Sequence, residues 1–134
     1  MLSSSAGKHH GVSSSGVPAG REFYERRIRL LQERDAARLV EEQYREDATL
    51  VSFGRVVCGR TALEDHFRGY LDRLGDIEVL STDAFEETHD SIFWRATVRT
   101  GLGRARIMDA VVLEGGKIAH HFTAVLENDE EQAA

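Results

Sequence analysis

Three segments in the first part of the chain place apolar residues three to four positions apart, the spacing of an amphipathic helix. The first helix is predicted over Arg21 to Arg34. The second follows Asp35, a residue type that caps helices well, and runs to about Tyr44. The third begins with Thr61-Ala62-Leu63-Glu64, which has the form of a capping box, and Gly75 is its predicted stop.

The remaining segments have the composition and alternation of β-strands. Short strands are predicted over Thr49 to Phe53 and Arg55 to Cys58, and longer ones follow at about 76–87, 91–100, 103–114 and 117–126. In the 103–114 segment one face carries Ala105, Ile107, Asp109, Val111 and Leu113. Gly115-Gly116 predicts a hairpin between the last two strands. Helices first and a long antiparallel sheet afterwards indicate an α+β domain.

Length and composition are consistent with one folded domain and two tails. The chain has 134 residues, and six serines and four glycines lie within residues 1–20, too few apolar groups to offset the entropy of ordering. We therefore expect a flexible tail over 1–20, a single domain over 21–126 and an acidic tail over 127–134. No apolar run is long enough to span a membrane, and the N-terminus does not have the pattern of a secretory signal.

Charge argues against nucleic acid and anionic membrane surfaces as partners. The formal net charge is −6, and the 17 basic residues are interspersed with 23 acidic ones rather than gathered on one stretch. Cys58 is the single cysteine, which excludes an intrachain disulfide and suits a cytoplasmic location. The sequence contains no nucleotide-binding loop, hydrolase elbow or zinc-peptidase motif, and the His9-His10 pair is a poor metal site. No cofactor and no metal are expected.

Asp109 is the residue that most directly suggests chemistry. It lies on the apolar side of its predicted strand between Ile107 and Val111, where a carboxylate is costly unless it is paired or protonated. Burial raises the pKa of a carboxyl group, so one hypothesis is a neutral acid that donates a hydrogen bond to an oxyanion. The alternative is a structural carboxylate satisfied by backbone amides or an arginine.

His120 and His121 are adjacent on a strand, so their side chains point to opposite faces. A two-residue turn at Gly115-Gly116 places His120 on the face of Asp109, whereas a three-residue turn with a glycine bulge places His121 there. Both turns fit the sequence. The histidine that shares the face of Asp109 would complete an acid–base pair.

Several aromatic and apolar residues are candidates to line the same cavity. Trp94, Phe67 and Val111 would supply most of the contact area for a ligand, and packing in the core is the alternative for each. Tyr24 and Tyr44 are candidate phenolic hydrogen-bond donors on the predicted helices.

The order of elements resembles the SnoaL-like branch of the NTF2-like superfamily. Tyr44 to Thr49 is similar to the helix-to-strand junction of that family, Val57 to Leu63 to its entry into the third helix, and Leu113 to Ile118 to its final hairpin. The resemblance covers about residues 21–126. It implies a cone in which three helices pack on a curved, mainly antiparallel sheet and enclose a pocket.

The resemblance to ketosteroid isomerase within this superfamily implies roles for individual residues. Its protonated aspartate in the oxyanion hole corresponds to Asp109, and its general base corresponds to Ser52. Its phenolic donor falls near Arg27 or Ile28, one helical turn from Tyr24. In this chain a serine therefore stands where the isomerase has a carboxylate.

The resemblance to SnoaL-type cyclases and related epoxide hydrolases involves the last strand. Their histidine–aromatic–aspartate run corresponds to His121-Phe122-Thr123, so threonine replaces the acid. This match implies that His121, rather than His120, lies in the pocket, and it makes Thr123 a candidate ligand contact.

Three functions fit these observations. The first is a cofactor-independent, isomerase- or cyclase-like enzyme acting on a small carbonyl or polyketide-like compound through Asp109 and His121. The second is a non-catalytic protein that binds a small apolar ligand. The third is a dimeric interaction module, and a homodimer through the outer sheet face is expected in every case, because Met108, Ala110 and Val112 form an apolar strip there.

Overall fold

The computed structural model describes residues 19–129, which form three helices and six strands. The helices are α1 (Ala19–Glu33), α2 (Ala36–Gln43) and α3 (Arg60–Leu74). The strands are β1 (Tyr44–Ser52), β2 (Arg55–Cys58), β3 (Glu78–Glu87), β4 (Ser91–Thr100), β5 (Gly103–Glu114) and β6 (Lys117–Asp129). The expectations for residues 1–18 and 130–134, including the His9-His10 pair, lie outside this range.

The strands form one sheet in the order β2-β1-β6-β5-β4-β3. Every neighbouring pair is antiparallel except β1 and β6, which run parallel. The sheet is therefore mixed and mainly antiparallel, and the predicted α+β class is confirmed.

The helices and the inner face of the sheet enclose one hydrophobic core. Its fully buried residues come from each layer: Leu30, Leu39, Val40, Tyr44, Leu50, Leu63, Val111 and Ile118. These side chains lie on the apolar stripes of the helices and on alternate positions of the strands, as the periodicity of each element requires. The core holds the helices across the sheet and so positions the cavity described below.

Several element boundaries differ from the predicted ones. Helix α1 begins at Ala19, within the predicted 1–20 tail, and β6 continues to Asp129, within the predicted 127–134 tail, because its end is paired with β5.

At two further boundaries local geometry overrides the pattern. The cap of α3 is Gly59, which has a φ of +88° and forms no side-chain cap bond, so the predicted capping box at Thr61 is wrong and Thr61 lies inside the helix. Strand β1 begins at Tyr44, which ends α2 and starts the strand without an intervening loop. By contrast Asp35 caps α2 as predicted, accepting a hydrogen bond from the backbone N–H of Arg38.

Within residues 19–129, the helices are too short and too polar for any of them to cross a membrane.

Candidate functional site

A cavity of about 650 Å³ opens between the helices and the inner face of the sheet. Its wall is largely apolar, with Leu31, Leu50, Trp94 and Ala96 among the lining residues. Asp109 and His121 also line it, and they are 6 % and 2 % exposed. The cavity therefore combines an apolar wall with two buried groups that can carry a proton.

Asp109 and His121 are joined by a short hydrogen bond. The Nε2 atom of His121 lies 2.7 Å from Oδ1 of Asp109. Asp109 is on β5 and is paired in register with Thr123 of β6, while His121 is paired with Val111. All four side chains therefore belong to the inner face of the hairpin, and the two ionisable groups are diagonal neighbours on it.

His121 reaches this face because of a bulge rather than a longer turn. The turn has two residues, since Glu114 is paired with Lys117, and Gly115 and Gly116 both have the positive φ that a tight hairpin of this kind needs. The register then shifts between Val112 and Leu113, which leaves Ala119 as an extra residue in β6. One extra residue changes which side chains point inward, so His121 faces the core and His120 faces outward.

The pair continues into the helical layer through Tyr44 and Arg27. The hydroxyl of Tyr44 lies 2.7 Å from Nδ1 of His121, and Nη2 of Arg27 donates to that hydroxyl at 3.0 Å. Nη1 of Arg27 donates to the side-chain oxygen of Gln43 at 3.1 Å. The guanidinium also lies 5.6 Å from the centre of the Tyr44 ring and 5.7 Å from that of Phe67. These contacts explain how an arginine is held in the core.

Only one assignment of protons satisfies every bond in this chain with a neutral histidine and an ionised aspartate. Arginine can only donate, so the Tyr44 oxygen accepts from Arg27 and its own proton points to Nδ1 of His121. The histidine proton then lies on Nε2 and is donated to Asp109. The donors therefore all point one way, from Arg27 through Tyr44 and His121 to Asp109.

The pKa shifts agree with this assignment. Burial alone raises the pKa of Asp109, but the hydrogen bond and charge of His121, the charge of Arg27 and a hydrogen bond from Thr123 outweigh it, and the pKa is lowered. Burial lowers the pKa of His121 despite the carboxylate beside it. Burial also raises the pKa of Tyr44 to about 12. Of the two hypotheses for Asp109, the lowered pKa therefore favours the ionised carboxylate over the neutral acid.

Most of the other predicted site residues line the cavity, and one of them does not. Tyr24, Ser52, Phe67, Trp94 and Thr123 all line it. Val111 does not line it, because it is fully buried in the core at the position paired with His121.

Neither tyrosine that was predicted to be a phenolic donor has a free hydroxyl. That of Tyr24 is bonded to the side-chain oxygen of Thr82 at 2.7 Å, and that of Tyr44 lies in the chain described above. Tyr70 of α3 also lines the cavity, and within residues 19–129 its hydroxyl forms no hydrogen bond. The charges of Asp109 and Arg27 both act on it. The sequence analysis did not identify Tyr70 as a candidate, because its spacing within the third helix is that of an ordinary apolar position.

In the part of the chain that the structure describes, no three histidine, cysteine, aspartate or glutamate side chains are grouped so as to hold a metal ion.

Comparison of the fold with solved structures gives extensive matches at low sequence identity. An NTF2-like protein from Anabaena variabilis ATCC 29413 superposes with a TM-score of 0.68 and 12 % identity, over 83 % of this chain and 92 % of that one. An NTF2-like protein of unknown function from Burkholderia xenovorans LB400 gives a TM-score of 0.68 and 13 % identity, over 83 % and 85 %. The chain has the NTF2-like fold.

Among NTF2-like structures it is also similar to SalBIII, described as an epoxide hydrolase/cyclase-like enzyme in pyran ring formation in the polyether salinomycin. The identity is 18 % and the TM-score 0.66, over 80 % of this chain and 90 % of that one. No protein-family model and no curated protein matches the sequence. At these low sequence identities the comparisons establish the NTF2-like fold and leave the roles of the site residues open.

Proposed function

We propose that this NTF2-like protein catalyses cofactor-independent proton transfer on a small carbonyl or polyketide-like compound, in an isomerase- or cyclase-like reaction. The observation that carries this proposal is the buried Asp109–His121 pair on the wall of a cavity of about 650 Å³. A buried carboxylate held ionised beside an apolar cavity is a base that is shielded from water and close to its substrate.

In the proposed step the Asp109 carboxylate removes a proton from the carbon next to the substrate carbonyl. The C–H electron pair forms a carbon–carbon double bond, and the carbonyl π electrons move to oxygen as an enolate. If the substrate is β,γ-unsaturated, the enolate is a conjugated dienolate; Asp109 returns the proton to its γ-carbon while the oxygen electrons re-form the carbonyl, which isomerises the substrate. Alternatively the enolate carbon attacks a second carbonyl carbon, whose π electrons move to oxygen as an alkoxide; that oxygen takes the proton from Asp109, and a ring is closed.

Three groups of this chain would assist the step. His121 donates to Asp109 and so orients the carboxylate, and Thr123, which is paired with Asp109 across the two strands, also lowers the pKa of Asp109. The Tyr70 hydroxyl forms no hydrogen bond within the described residues and lines the cavity, so it would be available to donate one to the developing enolate oxygen. Such a donor typically contributes about 3 to 4 kcal/mol of transition-state stabilisation.

The similarity to SalBIII, an epoxide hydrolase/cyclase-like enzyme, supports a cyclase-type reaction in a fold of this shape. The difference is that Ser52 and Thr123 stand where the family resemblance implies carboxylates. Asp109 is therefore the carboxylate that the proposal assigns as base.

The second candidate is a ligand-binding protein without catalysis. Trp94, Phe67 and Leu50 give the cavity an apolar wall, which favours a hydrophobic ligand in either case. The cavity is not filled by Phe85, which packs on Tyr24 with 5.4 Å between ring centres, or by Phe122, which is 48 % exposed.

Exchange of carbon-bound protons for deuterium distinguishes these two functions. Cyclic ketones and β-diketones of different sizes are incubated with the protein in D₂O, and loss of the α-proton signal is followed by NMR. We expect the wild type to accelerate exchange of at least one compound and Asp109→Asn to reduce that acceleration by about 10²-fold or more, because the amide is not a base.

Asp83→Asn is the matched control, since Asp83 is an exposed carboxylate held by Ser81 and Thr97 outside the cavity. This variant should exchange at the wild-type rate. Binding of the ketones without any exchange would favour the non-catalytic function instead.

We also propose that the protein works in a reducing compartment such as the cytoplasm. Cys58 is free and exposed, and an exposed thiol in an oxidising compartment is open to intermolecular disulfide formation.

A further inference from the structure

The two ends of the cavity differ in charge. We call the buried end at Asp109 and His121 the floor, and the more exposed end the mouth. Arg55 follows the turn after β1, and His66 and Arg73 lie on α3, and all three line the cavity. Asp65 also lines it, but its carboxylate is bound by Arg68 at 2.9 Å. The mouth therefore presents two guanidinium groups that no carboxylate within residues 19–129 neutralises.

The side chains at the mouth can donate hydrogen bonds. Nη1 of Arg55 lies 3.3 Å from Nδ1 of His66, and because arginine can only donate, the proton of a neutral His66 is on Nε2. The guanidinium of Arg73 lies 5.9 Å from the centre of the Tyr70 ring, which stacks with the His66 ring. Arg55, His66 and Arg73 thus supply N–H donors on one side of the entrance.

The field at His66 is positive although the chain as a whole is negative. Burial lowers the pKa of His66, and the charges of Arg55 and Arg73 lower it further. At the floor the positive charge of Arg27 is matched by the carboxylate of Asp109, to which it is linked through two neutral groups. The positive charge of the cavity that no carboxylate balances within residues 19–129 therefore lies at the mouth, where it favours an anionic group of a ligand.

We propose that the ligand of this cavity carries a carboxylate group that binds at Arg55, His66 and Arg73 while its apolar body extends toward Asp109. This inference rests on the proposed function for the choice of cavity, and it adds the chemical class of the ligand. A carboxylate is favoured over a phosphate, because the mouth is lined by residues 65–73 in the body and last turns of α3 and has no helix N-terminus to hold a phosphate.

The test compares three probes with one apolar body: 2-naphthylacetic acid, its primary amide and its methyl ester. Binding to the full chain is measured by calorimetry at neutral pH and low salt. We expect the acid to bind at least ten-fold more tightly than the amide and the ester, with an advantage that shrinks as salt is added.

Substitutions should locate this preference. Arg55→Gln and Arg73→Gln should each reduce the advantage of the acid several-fold, and the double variant should abolish it. Arg38→Gln is the control, because Arg38 is an exposed arginine of α2 bound to Glu33 and Glu42, and none of these three residues lines the cavity. It should leave the preference unchanged.

Three outcomes would overturn the inference: equal binding of acid and amide, no binding of the acid at millimolar concentration, or tighter binding of 2-naphthylmethylphosphonate than of the acid. These titrations, set beside the proton-exchange assay of the wild-type protein, separate the two proposals. A carboxylate preference that persists while no compound undergoes proton exchange would reject the catalytic function alone. Exchange without a carboxylate preference would reject this inference alone.

Discussion

At the scale of single residues, the Tyr44 hydroxyl connects Arg27 to His121, and its removal takes one hydrogen-bond partner from each of them. In Tyr44→Phe, Nη2 of the buried Arg27 and Nδ1 of His121 face the apolar phenylalanine ring and each loses its hydrogen bond. We expect a loss of about 1 to 3 kcal/mol in the free energy of unfolding, measured by urea denaturation, because unsatisfied buried polar groups are costly.

Tyr70→Phe is the matched control for this change. It also removes one phenolic hydroxyl from a tyrosine of the same cavity region, but a hydroxyl without a hydrogen bond in the described chain. Its effect on stability should stay within about 0.5 kcal/mol. Equal losses for the two variants would contradict the hydrogen-bond chain.

The buried histidine predicts a particular pH dependence of stability. Burial lowers the pKa of folded His121 below its ordinary 6.5, so below pH 6.5 the unfolded chain binds a proton there that the folded chain does not. The free energy of unfolding must then fall as the pH drops below 6.5, by up to about 1.4 kcal/mol per pH unit for the proton on His121, and His66, whose pKa is lowered as well, adds to the fall.

Asp109 acts in a separate window, because its pKa is lowered from 3.8 and its stabilising contribution is lost only below that pH. His121→Gln should therefore flatten the dependence just below pH 6.5. His120→Gln, which changes an outward-facing histidine, should leave it as in the wild type. The measurement is urea denaturation at a series of pH values, and an unchanged slope in His121→Gln would be the contrary result.

At the scale of elements, the start of α3 depends on the backbone of Gly59 rather than on a side-chain cap. Gly59 has a φ of +88°, a conformation that other residues adopt only with strain, and a Cβ there would meet open space. Gly59→Ala should cost about 1 to 3 kcal/mol through backbone strain alone. Thr61→Ala should cost less than about 0.5 kcal/mol, and the reverse order in urea denaturation would restore the capping box.

The hairpin of β5 and β6 illustrates how far sequence reasoning reaches. Alternation placed Asp109 on the inner face correctly, because period-two patterns record which side of a strand is buried. The choice between His120 and His121 could not be made from alternation, since it depends on a bulge at Ala119 for which the sequence gives no signal. The resemblance favoured His121, but the longer turn inferred with it is absent.

The buried arginine was beyond prediction for a different reason. Arg27 lies three residues after Tyr24 and three before Leu30, so the helical period puts it on the buried face of α1, but an arginine is a residue type expected at the surface. Its burial is decided by partners distant in sequence, Gln43 and Tyr44, whose polar atoms meet it only after the helices have packed. The contributions of Arg27 and Tyr70 were missed because both depend on tertiary contacts.

At the scale of the whole molecule, the outer face of the sheet carries apolar side chains that suit self-association. Phe122 is 48 % exposed and is paired with Ala110, beside Met108 and Val112 on the same face. We propose that two copies associate through this face, and we expect sedimentation velocity to detect a dimer of the full chain. Phe122→Glu should shift it to monomer.

Phe53→Glu is the control for this prediction, because Phe53 is 88 % exposed but lies at the β1–β2 turn. The dimer should persist in that variant. A wild-type monomer at high concentration, or equal disruption by the two substitutions, would contradict the outer face as the interface.

The hydrogen-bond chain from Arg27 to Asp109 also fixes how the charge of the interior responds to a proton. At rest a guanidinium and a carboxylate lie at the two ends of a pair of neutral groups, and their sum is zero. If Asp109 takes a proton from a neutral carbon centre, the carboxyl becomes neutral and the substrate's reacting end becomes anionic, while Arg27 keeps its charge. The total does not change, and the guanidinium passes from counter-ion of the base to counter-ion of the enolate. A low-dielectric interior penalises net charge. The interior around Arg27 and Asp109 therefore keeps a net charge of zero throughout the proposed reaction.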